Sequence, residues 1–139
     1  MIKKFISVIL VASIICFCFS LPASAQMNAS EYIAITYAGL GQGTSSGQLR
    51  VNYSITGTKT MDTIGVSKIQ VYKSNGTLYQ TIYGTVGSGL LQQNVITVTD
   101  VYTISCVSGQ SYYCKVTLYA AKGSGSDSRT ITTGTVTAP

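Results

Sequence analysis

The chain contains no histidine, which removes the side chain most often used to move protons near neutral pH. Its four acids are Glu31, Asp62, Asp100 and Asp127. A glycosidase-type carboxylate pair could be drawn from Asp62, Asp100 and Asp127, which makes a small hydrolase one reading of the chain. The other reading is that each is a turn or strand-end aspartate, and the pattern around them favours it. A Ser–Lys dyad lacks the Ser-x-x-Lys spacing on a helical pattern that would support it. Gly39-Leu40-Gly41-Gln42-Gly43 has the glycines of a phosphate loop without the Lys-Ser/Thr ending or the helix that follows. No catalytic residue and no cofactor is expected.

Cysteine is the remaining reactive type, at Cys16, Cys18, Cys106 and Cys114. The first two fall within an apolar run from Phe5 to Leu21 that follows the charged start Met1-Ile2-Lys3-Lys4. With Pro22-Ala23-Ser24-Ala25 behind it, the segment has the order of a secretory leader cleaved after Ala25. The run is shorter than the roughly 20 residues of a spanning helix. Ile15 and Phe17 stand before the two cysteines where a lipoprotein signal needs a small residue. The C-terminus has no LPxTG-type motif and no apolar tail. The expected product is a single domain over residues 26–139, released outside the cell and with no membrane segment.

Export makes a Cys106–Cys114 disulfide the expected state of the other pair. Closing that loop of about nine residues would stabilise the fold by about 2.5 kcal/mol on chain-entropy grounds. Two buried free thiols are the alternative. A metal site is not expected, since two cysteines without histidine do not complete a tetrahedral set.

Of nine basic residues, Lys3 and Lys4 would leave with the leader. The rest outnumber the acids mildly and form no basic run, which excludes a nucleic-acid footprint. Short alternating runs separated by turn residues predict an all-β chain with seven strands. They are Glu31–Ala38, Gln48–Thr56, Val66–Lys73, Leu78–Tyr83, Val95–Cys106, Tyr112–Ala121 and Ser128–Val136. In the first, Ile33, Ile35 and Tyr37 share a face. In the second, Leu49, Val51, Tyr53 and Ile55 face inward. The fifth is expected to break near Asp100. Ser74-Asn75-Gly76-Thr77 is a hairpin turn, because Asn-Gly tolerates the positive φ that a type I′ turn requires.

Gly109, Tyr112, and the inward run Cys114, Val116, Leu118 and Ala120 resemble the tyrosine corner that opens strand F of immunoglobulin-like and fibronectin type III domains. The chain has no tryptophan, and its cysteines are not placed to join strands B and F, so the fibronectin type III arrangement fits better. A jelly roll is the other open sandwich. The Ile64-Gly65 step, Tyr72–Thr77, Tyr112–Ala120 and Gly125-Ser126-Asp127-Ser128-Arg129 together resemble small secreted proteins of Gram-positive, clostridial-type bacteria. That resemblance implies a bacterial extracellular setting and carries no catalytic site.

A fibronectin-like pairing implies that Val66–Lys73, Leu78–Tyr83 and Tyr112–Ala121, as strands C, C′ and F, share a sheet. Alternation then sends Lys68, Gln70 and Tyr72 outward, together with Tyr79, Tyr83, Tyr113, Lys115 and Tyr119. Tyrosine supplies rigid amphipathic contact area, and exposed aromatic patches mark binding surfaces. The same residues also suit a sheet for cross-strand pairing alone. The expectation is a non-enzymatic extracellular module that binds a surface protein, a glycan or another copy of itself through this Tyr/Lys face. A structural protein, self-associating through an edge such as Glu31–Ala38, is the alternative.

Overall fold

Strict alternation from Gln48 to Thr56 becomes a strand that buries one side only: Leu49, Val51 and Ile55 are fully buried and Tyr53 nearly so. A slip of one residue would expose all four at roughly 2 kcal/mol each, a sum comparable with the whole stability of a domain. The register is therefore held by the core.

A computed structural model describes residues 30–139; the leader read from residues 1–25 lies outside them. The described residues are all-β. The strands are β1 (Ile33–Gln42), β2 (Gln48–Met61), β3 (Thr63–Lys73), β4 (Leu78–Tyr83), β5 (Leu91–Gln92), β6 (Val95–Ser105), β7 (Ser111–Lys122), β8 (Gly125–Thr132) and β9 (Val136–Thr137). The count exceeds the expected seven by β5 and β9, each two residues long. All pairings are antiparallel. One sheet has the order β1-β2-β6. The other has the order β4-β3-β7-β8, with β5 added to β3 and β9 to β7. One core cluster draws on both sheets, as in a β-sandwich.

Three irregularities set which side chains face where. In β1 the register against β2 shifts between Ile33 and Ile35. Ile33 is buried, whereas Ile35 and Tyr37 are 63% and 58% exposed, so the three do not share a face as expected. Ala38 is the residue that turns inward beyond the bulge. In β3 the shift between Val66 and Lys68 inserts Ser67, so that Ile64 and Val66 before it and Ile69 and Val71 after it all reach the core. In β4 the pairing shifts between Val71 and Tyr72. The expected break in β6 near Asp100 does not occur; the strand runs through from Val95 to Ser105.

Tyr112 fixes the entry to β7. Its ring is fully buried, its hydroxyl accepts the Val107 N–H at 3.1 Å, and it donates to Gln110 Oε1 at 3.1 Å. The connection from β6 is thereby tied to the strand that follows it. At the opposite end Asp62 takes the Lys122 ammonium at 2.8 Å and the Gly123 N–H at 2.8 Å. The Lys122 hydrogen bond and the Gly123 N–H hold the Asp62 carboxyl below its ordinary range. Asp62 thus joins the β2–β3 corner to the β7–β8 turn. Gly65, at φ +145°, lets the backbone of Leu90 cross close over β3, where any Cβ would collide with the Leu90 carbonyl. Leu90 itself closes the core from what is otherwise a surface loop.

Candidate binding face

The outer face of the larger sheet is assembled by pairing. Lys68 lies between Tyr83 and Thr117, Gln70 between Thr81 and Lys115, and Tyr72 opposite Tyr113. Tyr119 lies between Gly65 and Ser128, and Thr117 and Lys115 continue to Thr130 and Thr132 on β8. Lys68, Tyr72, Tyr83, Tyr113, Lys115 and Tyr119 are therefore brought onto one surface. Tyr79 leaves it. The shift in β4 turns its ring toward buried Tyr112, 5.2 Å away and tilted by 58°, with the Lys73 ammonium 6.0 Å above it.

The tyrosines on this face are used against one another. Tyr72 and Tyr113 stack with centroids 5.2 Å apart and planes within 10°. The Lys115 ammonium stands 5.2 Å from the Tyr72 centroid. Tyr72 is thus engaged by a ring and a cation, and the group stands as a ridge rather than as open ring faces. Tyr83 is the exposed aromatic of the patch, at 71%. Hydroxyls of Thr117 and Thr130, 3.0 Å apart, extend the face across β7 and β8. Sequence reading missed this threonine and serine half, although Ser128, Thr130 and Thr132 alternate plainly.

No carboxylate faces outward on this sheet among the described residues. Glu31 precedes β1, and Asp62 sits at the β2–β3 corner paired with Lys122. Asp100 belongs to β6 in the other sheet. Asp127 pairs with buried Ala120 and so has the inward parity of β8. Lys68 and Lys115 are thus the charged groups of a face otherwise made of tyrosine, threonine, serine and glutamine.

Beside the Tyr72–Tyr113 end, the β3–β4 turn meets the β6–β7 connection around a polar cleft of about 450 Å³. It is lined by Lys73, Ser74, Asn75, Gly109, Gln110 and Ser111. Asn75 shapes the turn, accepting the Thr77 N–H at 3.0 Å, and Ser74 donates its N–H to the Ser111 carbonyl at 2.9 Å. A turn at Asn75-Gly76 was legible in sequence, but it is not the expected type I′: Gly76 has positive φ, at +89°, and Asn75 does not, while the Gly76 N–H donates to the Lys73 carbonyl at 2.9 Å. That the turn would meet Gly109–Ser111 was not legible, because the meeting depends on how β3 and β7 pair.

Cys106 and Cys114 are free thiols in the structure, with no bond between them. Cys114 points into the core from β7 and Cys106 is half-buried just beyond β6. Burial, with Cys106 nearby, pushes the Cys114 thiol from 9.0 up to about 12, and burial raises Cys106 as well. The chain from Gln26 onward is expected to show two thiols in denaturant at pH 8, with Cys114 unreactive toward a disulfide reagent while the protein stays folded. Thiol titration with and without denaturant checks this; no titratable thiol in denaturant without reductant would show the pair oxidised.

Compared with known proteins, the chain matches no family model, no curated protein and no solved structure. The functional reading therefore rests on the geometry of the face itself.

Proposed function

We propose that the chain is an exported, non-enzymatic binding module with fibronectin type III-like topology. It acts outside the cell through the outer face of the β4-β3-β7-β8 sheet, on an extracellular protein or a glycan. The observation that carries this reading is the segregation of charge. Lys68 and Lys115 project from a face that holds no carboxylate, and the Tyr72–Tyr113 stack keeps that face rigid. Rigid aromatic and hydroxyl-bearing side chains lose little conformational entropy on binding. The sheet order, with β3 and β7 central and Tyr112 anchoring the start of β7, supports the topology. The non-enzymatic part rests on the aspartates, each engaged in a local hydrogen bond: Asp62 with Lys122, Asp100 with Val101 N–H and Asp127 with Ser128 N–H.

The double variant Lys68→Glu/Lys115→Glu should keep the fold and lose about tenfold or more in retention on cell-wall and matrix fractions, a cost of about 1.4 kcal/mol or more. Retention is read by pull-down beside a melting curve. Unchanged retention by a variant that melts like the parent would overturn the proposal.

A further inference from the structure

Edge strands offer unpaired backbone N–H and C=O groups, and proteins commonly block them. The two main sheets have four edge strands among the described residues: β1 and β6 in one, β4 and β8 in the other. On β6 the Asp100 carboxylate accepts the Val101 N–H at 2.7 Å. On β8 the Asp127 carboxylate accepts the Ser128 N–H at 2.7 Å. The same device thus occupies a backbone donor and sets a negative charge on two edges. β4 is only six residues long and carries a register shift.

β1 carries none of these devices along most of its length. Its ten residues, Ile33–Gln42, include no charged residue and no proline. From Ile35 to Gln42 it pairs with β2 in unbroken register. Contacts across its edge lie near the two ends: Arg129 donates to the Ile33 carbonyl at 3.4 Å, and the Gln42 amide donates to the Thr137 carbonyl at 2.9 Å. Between them stand Ile35 and Tyr37, the most exposed apolar side chains of the strand.

We propose that β1 is a self-association edge, pairing antiparallel with β1 of a second copy so that two β1-β2-β6 sheets become continuous. The register follows from the exposed pair. A two-fold axis at Thr36 sets Ile35 of one copy opposite Tyr37 of the other, and the reverse, on a single face. A β-branched–aromatic cross-strand contact is then made twice. A second copy suits this edge because uncharged backbone meets uncharged backbone and each exposed residue finds its counterpart. The Tyr/Lys face lies on the other sheet, so a dimer formed here would present two such faces.

The test is light scattering after size exclusion on the chain from Gln26 onward, which holds all the strands. Concentrations up to about 1 mM suffice, since a millimolar Kd already half-fills a dimer there. A dimer that dissociates on dilution is expected, with β1 amides gaining protection from hydrogen exchange as it forms. Ile35→Lys and Tyr37→Lys, at exposed positions, should each weaken it about tenfold and leave the monomer's melting unchanged. Should either variant melt early, the decisive measurement is oxidation of an equimolar mixture of Ile35→Cys and Tyr37→Cys proteins, which should cross-link to each other more than to themselves. A chain monomeric throughout, a dimer that both lysine variants retain, or no preference in cross-linking overturns the proposal.

Discussion

Replacing Tyr112 with Ala is expected to lower the melting temperature by about 15 °C or more, corresponding to about 3–5 kcal/mol for emptying a buried aromatic site. The ring is fully buried at the entry to β7, touches Tyr79, and anchors the Val107 N–H through its hydroxyl. Tyr112→Phe separates these contributions. It keeps the packing and removes only the hydroxyl, so its cost should be about 1 kcal/mol, roughly 5 °C. Thermal denaturation of both variants measures the difference. A Tyr112→Phe protein that melts with the parent would mean that the hydroxyl does not tie the β6–β7 connection. The order of effects matters for the binding face as well, since Tyr113, Lys115, Thr117 and Tyr119 all take their positions from β7.

The second large effect concerns alkali. The Cys114 thiol is raised from 9.0 to about 12, first by burial and then by Cys106. A raised thiol pKa means that the unfolded chain ionises first. Stability from this group is complete below pH 9 and is lost as pH rises toward 12. At pH 11 the loss is on the order of 2.5 kcal/mol. Tyr53 acts in the same direction, its hydroxyl pushed from 10.0 to about 12 by burial and by Asp100 across the strand pair. The folded protein should therefore lose stability in a first step above pH 9, joined by a second above pH 10. Cys114→Ala should shrink the first, leaving only what Cys106 contributes, and keep the second, as read from denaturant midpoints across pH 7–11. A parent chain whose midpoint does not move between pH 8 and pH 11 would contradict both assignments.

What could be read from the residues alone follows a physical divide. The β2 alternation was legible because every second residue faces one core, and Leu49, Val51, Tyr53 and Ile55 pack there as expected. Tyr112 stood out in sequence only through its resemblance to a tyrosine corner; the structure buries its ring and gives its hydroxyl the Val107 N–H. β1 misled because Ile33-Ala34-Ile35-Thr36-Tyr37 alternates cleanly in sequence while the bulge at Ile33/Ile35 reverses the parity. A bulge is settled by the partner strand, and no single strand's pattern records it. Tyr79 was misplaced for that reason too, as its direction depends on the Val71/Tyr72 shift in pairing with β4. Leu90 sits in a glycine-rich bend that looks exposed in sequence and is buried because Gly65 lets the loop close over β3. The face itself was largely foreseen, since alternation along β3 and β7 fixed most of its members. The opposition of Tyr72 and Tyr113 was not, because it needs the register between those strands.

That register gives the patch its character. Two tyrosines stacked at 5.2 Å with a lysine over one of them stabilise the sheet by cross-strand contact, so aromatic content alone does not distinguish a binding surface from a well-paired strand. The proposal of a binding surface rests instead on the carboxylates, since sheet pairing gives no reason for all four acids to avoid the face that carries Lys68 and Lys115.

The central claim is therefore spatial, and backbone amide shift mapping tests it most directly. Isotope-labelled protein is titrated with a cell-wall or matrix fraction that retains it. The account predicts shifts clustered at Lys68–Tyr72, Tyr83 and Tyr113–Tyr119, with the β1-β2-β6 sheet unchanged. Shifts confined to β1, β2 and β6 would contradict it.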